Sequence, residues 1–161
     1  MTAIAAEAWP SAELDGVRRL RVLAAALPGV QLEERALDHG FESVWAVVRD
    51  IERNVPRFDR EVTDVRILGR TGAHLDVMTR TRAGLRVRFD VELHPGFMWM
   101  AASHRRYVVG MGAVALDEHR TLLAHLEGVP RRSGALLARP LARHVTADLD
   151  GVERLLREEA G

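Results

Sequence analysis

The sequence predicts a single α+β domain in which a curved antiparallel sheet of about six to seven strands grips a long C-terminal helix. Three observations support this fold class. The chain has 161 residues, the usual size of one domain. Short apolar segments joined by tight turns run from Glu61 to Glu127, which is typical of a meander. From Ser133 to Glu159 the apolar residues return at helical spacing.

The N-terminal part predicts a helix, a strand and a second helix. The first helix is expected over Ser11–Leu27, with Glu13 and Asp15 in its first turn, and Pro28-Gly29 ends it. A strand is expected over 30–39 and a helix over 41–53, which Asn54-Val55-Pro56 breaks. We therefore divide the chain into an N-terminal helical extension, residues 1–29, and a main domain, residues 30–161. The extension has three open roles: covering a sheet edge, closing a cavity, or forming a homodimer.

The segment Leu85–Leu93 has the clearest strand pattern in the chain. Its apolar residues alternate strictly with charged ones, so one face is expected in the core and Arg86 and Arg88 in solvent. The other expected strands are 61–69, 74–82, 97–103, 107–116 and 120–127. Gly69–Gly72, Ala83-Gly84 and His94-Pro95-Gly96 are expected to be turns. The final helix contains Pro140, which either kinks it or begins its main segment.

Composition limits the classes of function. Basic and acidic side chains both number 23, so the formal net charge is zero and a nucleic-acid partner is not expected. The chain has no cysteine, which excludes disulfides and thiolate chemistry. No apolar segment reaches the about 18 residues needed to span a membrane, and no signal peptide is evident. We therefore expect a cytoplasmic protein.

The segment from Val44 to Arg70 contains the pair Val44-Trp45, followed by Asp50, Pro56 and Phe58. This pattern resembles the START-like helix-grip superfamily, also known as the polyketide cyclase/dehydrase and lipid-transport group. In that group a Val-Trp pair opens a helix that ends in an Asp, and a Pro and an aromatic residue precede the second strand. The matching residues here are Val44, Trp45, Asp50, Pro56 and Phe58. The resemblance covers roughly residues 30–159. It implies an internal cavity for a hydrophobic small molecule, as in lipid and hormone carriers or in aromatase/cyclases that fold polyketide chains.

Residues 121–127, which form the final expected strand, leave two registers open. The distribution of apolar residues favours the register in which Leu122, Ala124 and Leu126 face the interior and His125 and Glu127 face solvent. The resemblance favours the opposite register. There His125 would be a general acid/base oriented by Glu127. Tyr107, the only tyrosine, is a candidate donor to a ligand oxygen.

The candidate ligand contacts are large apolar side chains on the expected strands. Trp99 is a candidate for stacking on a planar ligand, and Met98 for adapting to its shape. The alternative for both is plain core filling. The full set of predicted contacts is Trp99, Phe97, Phe89, Val87, Leu123 and Met98.

No metal site or cofactor is expected from the sequence. The seven histidines form no HExxH motif, and the Gly110-Met111-Gly112 segment lies in a strand with no helix after it. Two functions therefore remain. In the first, the cavity binds a polyketide-like molecule and promotes its cyclisation or dehydration. In the second, it carries or senses a hydrophobic ligand or lipid without chemistry.

Overall fold

The computed structural model describes residues 13–103, 107–130 and 135–160. They form seven strands and four helices. The helices are α1 (Gly16–Ala26), α2 (Phe41–Arg49), α3 (Ile51–Phe58) and α4 (Ala135–Glu159). The strands are β1 (Val30–Leu37), β2 (Val62–Thr71), β3 (His74–Thr81), β4 (Arg86–His94), β5 (Phe97–Ala102), β6 (Val108–Ala115) and β7 (Thr121–Gly128). None of the described helices is both long enough and apolar enough to cross a membrane.

All seven strands form one antiparallel sheet, in the order β1-β7-β6-β5-β4-β3-β2. Strands β2 to β7 make the expected meander, and β1 pairs with β7. Gly84 and Gly96 lie in the turns on either side of β4, with φ angles of 80° and 74°. Residues with a Cβ rarely adopt this left-handed conformation, so glycine suits both turns. The sheet prediction is therefore confirmed.

The main core lies between the inner face of the sheet and the helices α2, α3 and α4. Alternate residues of each strand point into this core, among them Val77 on β3 and Val91 on β4, which are almost fully buried. Helix α4 contributes Leu149, Val152 and Leu155. Gly151 of α4 lies directly against Phe58, where an added Cβ would come within 2.7 Å of the Phe58 backbone. Because glycine has no side chain, α3 and α4 can pack this closely.

A second core lies on the outer face of the sheet, beneath α1. Val17 and Leu20 of α1 are buried against Phe97, Leu126 and their neighbours. Gly112 on β6 allows this close packing, since a Cβ there would lie 2.5 Å from the backbone of α1. The N-terminal helix therefore covers the outer face of the sheet at the end formed by β6, β7 and the edge strand β1.

Two helix boundaries differ from the sequence predictions. Helix α1 begins at Gly16, because the Asp15 side chain accepts a hydrogen bond from the Arg18 backbone and caps the helix. The proposed start at Ser11 lies outside the described residues. The second predicted helix is not broken at 54–56. It divides at Asp50, whose side chain caps the next helix, and α3 continues through Pro56 to Phe58.

Candidate functional site

An internal cavity of about 510 Å³ lies between the concave face of the sheet and helices α3 and α4. This volume is within the range of small-molecule sites. Most of its wall is apolar. The apolar lining residues are Val55, Phe58, Val62, Leu85, Val87, Phe89, Met98, Met100, Val109, Met111, Val129, Pro140 and Leu141.

Ionisable side chains from four parts of the chain meet at the wall formed by β6, β7 and α4. Strand β7 supplies His125 and Glu127, which alternate with outward-facing leucine and alanine residues. Helix α4 supplies His144 and Asp148, which lie one turn apart and therefore share a face. The remaining members are Tyr107, immediately before β6, and Asp59, which caps the end of α3.

The His125 ring is buried and makes hydrogen bonds through both of its nitrogens. Nδ1 lies 3.1 Å from the Gly110 carbonyl oxygen, and Nε2 lies 3.1 Å from Asp148 Oδ2. Burial acts to lower the pKa of His125, but the hydrogen bond to Asp148 and the charges of Glu127 and Asp148 together raise it to about 9. A carbonyl and a carboxylate are both acceptors, so His125 is an imidazolium that donates at both nitrogens.

Glu127 has one oxygen engaged and one oxygen without a partner. Tyr107 donates a hydrogen bond to Oε1. Oε2 is buried and has no hydrogen-bond partner among the described residues. Burial raises the pKa of Glu127 above its ordinary value, although the charges of His125 and His144 act in the opposite direction. Glu127, which lines the cavity, therefore keeps one buried carboxyl oxygen without a hydrogen-bond partner among the described residues.

His144 lies among three carboxyl groups. Its Nε2 is 3.5 Å from Glu127 Oε2, 3.7 Å from Asp59 Oδ1 and 3.8 Å from Asp148 Oδ2. Burial opposes protonation of His144, but the charges of Glu127, Asp148 and Asp59 together outweigh it and raise the pKa of His144. Burial and the charge of Asp148 also raise the pKa of Asp59.

The same carboxyl groups are close enough to share a cation. Asp59, His144 and Asp148 make one such group, and His125, Glu127 and Asp148 make another. The two histidines, when protonated, already balance two of the three carboxylates. The structure therefore gives no reason to assign a metal ion here.

Several predicted site residues do meet in the cavity. His125 and Glu127 point inward, which resolves the register of β7 in favour of the alternative that the resemblance suggested. Tyr107 lies beside them, and burial together with the charge of Glu127 raises its pKa, so its hydroxyl stays a donor. Val87, Phe89 and Met98 line the apolar wall. Leu123 is fully buried in the main core, but it is not among the cavity-lining residues.

The sequence predicts Trp99 and Phe97 as ligand contacts, with core filling as the alternative for Trp99, and neither of them lines the cavity. Both lie on the outer face of β5, where they pack in the second core beneath α1. The Trp99 ring contacts the β6 backbone at Gly110, and the Arg19 guanidinium of α1 lies 5.2 Å from the centre of the Phe97 ring. Because an apolar helix face covers this side of the sheet, large apolar residues occur on both faces of β5.

Three members of the cluster were missed by sequence reasoning: Asp59, His144 and Asp148. The last two carried a detectable signal, since they interrupt the buried face of α4 defined by Val145 and Leu149. A pair of ionisable residues four positions apart on a buried face indicates a polar site. No comparable pattern marks Asp59, which is simply the residue at which α3 ends.

The chain has a START-like helix-grip fold, as comparison with solved structures shows. An aromatase/cyclase, ZhuI from Streptomyces sp. R1128, superposes with a TM-score of 0.67 at 17% identity, covering 82% of this chain and 95% of that one. A START superfamily protein from Mycobacterium smegmatis gives 0.67 at 14% identity, covering 81% and 98%. A protein from Thermus thermophilus gives 0.60 at 18% identity, covering 82% and 99%.

Comparison at the sequence level gives no further assignment. No protein-family model matches the chain, and no curated protein matches it. The resemblance to the START-like group predicted from Val44, Trp45, Asp50, Pro56 and Phe58 is nevertheless confirmed at the level of the fold.

Proposed function

We propose that the cavity binds a hydrophobic, polyketide-like molecule and promotes loss of water from it during ring formation. One observation carries the proposal. Glu127 lines a predominantly apolar cavity, and its Oε2 is buried, has no hydrogen-bond partner among the described residues and lies 3.5 Å from His144 Nε2. The presence of an aromatase/cyclase among the structural neighbours supports this choice of substrate class.

The apolar wall supplies binding and orientation. Val87, Phe89 and Met98 on one side and Leu141 on the other would hold a carbon chain in a folded conformation. Holding the reacting atoms of a flexible chain close together removes much of the entropic part of a ring-closing barrier. The polar cluster on the β6–β7 side would then act on the part of the ligand that carries oxygen.

Loss of water requires a base beside one carbon atom of the ligand and an acid beside the hydroxyl group on the next carbon atom. The Glu127 carboxylate takes the proton from a carbon next to a carbonyl, and the electron pair of that C–H bond forms the new double bond. The adjacent C–O bond breaks, and the hydroxyl leaves as water with a proton from the His144 imidazolium. Transfer of the proton from Glu127 to His144 across the 3.5 Å gap restores both groups.

Tyr107 and His125 have supporting roles in this scheme. The Tyr107 hydroxyl fixes Oε1 of Glu127 and so directs Oε2 toward the ligand. His125 was proposed from the sequence as a general acid/base with Glu127 orienting it. We now assign proton transfer to Glu127 and His144, because both nitrogens of His125 already have partners.

The test is Glu127→Gln, which keeps the shape of the side chain and removes its basicity. The assay follows loss of water from an aryl β-hydroxy ketone by the absorbance of the conjugated product. We expect the turnover number of Glu127→Gln to fall by about 10²- to 10⁴-fold, the usual contribution of general acid–base catalysis. Substrate affinity, measured separately, should change far less than the turnover number. Glu118→Gln is the matched control, because Glu118 is exposed on the β6–β7 loop.

Carriage of a hydrophobic ligand is the second candidate function, and the predominantly apolar cavity wall favours it. Mass spectrometry of the protein purified under native conditions separates the two candidates. A co-purified acyl chain that is recovered unchanged, together with no turnover by the wild-type protein, would support carriage and refute catalysis. Unaltered turnover in Glu127→Gln would refute the role of Glu127. A co-purified cyclic product would support the enzyme.

A further inference from the structure

We propose that the polar side of the cavity selects ligands that carry neutral hydroxyl groups and rejects carboxylates, with Glu127 and Asp148 as the residues that determine this specificity. The inference rests on the proposed function, because it specifies the ligand of the same cavity. It follows from a count of hydrogen-bond donors and acceptors around the cluster.

The cluster's donors are largely committed within the protein. The Tyr107 hydroxyl donates to Glu127 Oε1. The two N–H groups of His125 donate to the Gly110 carbonyl and to Asp148 Oδ2. The Thr79 hydroxyl, on the facing wall, donates to the Val87 carbonyl. The hydroxyl of Thr81, also on the facing wall, accepts a hydrogen bond from the Leu85 backbone. Among the described residues of the cluster, the two ring nitrogens of His144 remain, and Nε2 lies between three carboxyl groups at 3.5–3.8 Å.

The acceptors, in contrast, are in excess. Glu127 Oε2 and Asp148 Oδ1 are both buried, and neither has a hydrogen-bond partner among the described residues. Glu127 and Asp148 are each only 2% exposed. A buried acceptor without a donor is unfavourable, so a ligand that brings donors to these oxygens gains affinity. A ligand that offers only acceptors leaves both of them unsatisfied.

The charges of the cluster favour the same ligands. Three carboxyl groups face two histidines, so the fully ionised cluster is negative overall. A ligand carboxylate would add a fourth negative charge in a poorly solvated site, where like charges repel strongly. A hydroxyl group is neutral. It donates to Glu127 or Asp148 and can at the same time accept from His144.

The selection extends to tautomers of one molecule. The enol form of a 1,3-dicarbonyl chain carries an O–H donor, and the diketo form carries none. The two free carboxylate oxygens therefore stabilise the enol form over the keto form. The enol is the nucleophilic form of such a chain, and phenols are the products of its aromatisation. The reacting form of the substrate and the product therefore both carry a hydroxyl donor for the free carboxylate oxygens.

A matched series of ring compounds tests the inference in the wild-type protein by isothermal titration calorimetry. The probes are naphthalene, 2-naphthol, 1,3-dihydroxynaphthalene and 2-naphthoate, which share one ring system and differ in the polar group. We expect the dissociation constants to fall from naphthalene to 2-naphthol to 1,3-dihydroxynaphthalene. We expect 2-naphthoate to bind at least about tenfold more weakly than 2-naphthol, a difference of about 1.4 kcal/mol.

Glu127→Gln tests whether Glu127 determines this preference. Its amide supplies a donor and removes the negative charge, so the preference for 2-naphthol over 2-naphthoate should shrink several-fold. Met98→Leu is the control, because Met98 lines the apolar wall and a change there should shift the affinities of all four probes together. Equal binding of 2-naphthol and 2-naphthoate to the wild type would refute the inference even if Glu127→Gln failed to fold. Failure of every probe to bind would refute the proposed ligand class itself.

Discussion

Leu20→Ala tests whether α1 is an integral part of the fold. Leu20 lies in the middle of the helix, is fully buried, and packs on the outer face of the sheet against β6. It fills the space above Gly110, where an added Cβ would come within 2.6 Å of the Leu20 side chain. Because Gly110 has no side chain, the residue directly beneath Leu20 cannot fill the space that Leu20→Ala would leave.

The expected loss of stability follows from this geometry. The substitution removes three carbon atoms, and at about 0.8 kcal/mol for each the transfer term is about 2.4 kcal/mol. A cavity that does not collapse adds to this, so we expect the free energy of unfolding to fall by about 3–5 kcal/mol. For a chain of this size, each kcal/mol lowers the melting temperature by about 2–4 °C.

Urea unfolding followed by circular dichroism measures the change. Val22→Ala is the control, since Val22 is on the same helix and is 56% exposed. It should change the free energy of unfolding by less than about 0.5 kcal/mol. A loss below about 1 kcal/mol in Leu20→Ala would mean that α1 is a loosely attached extension and would refute the second core.

Three further predictions concern the cavity and its surroundings. The pKa of His125 rises from its ordinary 6.5 to about 9 on folding, so its stabilising contribution is complete below pH 6.5 and is lost as the pH rises through 9. In unfolding titrations the free energy of unfolding should therefore fall by about 3 kcal/mol over this pH range. An unchanged free energy of unfolding from pH 6.5 to 9 would contradict the His125–Asp148 ion pair. Trp99→Ala should lower the melting temperature without changing ligand affinity, because Trp99 faces α1; reduced affinity with unchanged stability would contradict that orientation. Leu85→Arg should fold normally, since Leu85 is 48% exposed at the cavity wall, but should weaken binding of 2-naphthol; a variant that binds normally would exclude Leu85 from the ligand's path.

Most of the secondary structure could be predicted from local patterns. The strand β4 alternates apolar and charged residues because one of its faces meets the core and much of the other meets solvent. The turns next to it contain glycines whose left-handed conformation restricts the choice of residue. The division at Asp50 was missed because an aspartate cap is a weaker signal than the proline six residues later.

The candidate site was harder to predict, since its members come from distant parts of the chain. His125 and Glu127 are adjacent on one face of β7, and alternation limited the choice to two registers. Asp148 and His144 approach them only because α4 packs across the sheet, 23 and 19 residues further along the chain than His125. No local pattern specifies that approach.

The sequence by itself therefore determined most of the elements, their order and the alternation of strands such as β4. Only the tertiary structure decided which face of β5 and β7 meets the cavity. The reason is that α1 covers the outer face of these strands while α4 and the cavity cover the inner face. A strand buried on both faces has no solvent-exposed side to identify its register. For that reason Trp99 proved to be a contact of α1, and His125 and Glu127 proved to face the cavity.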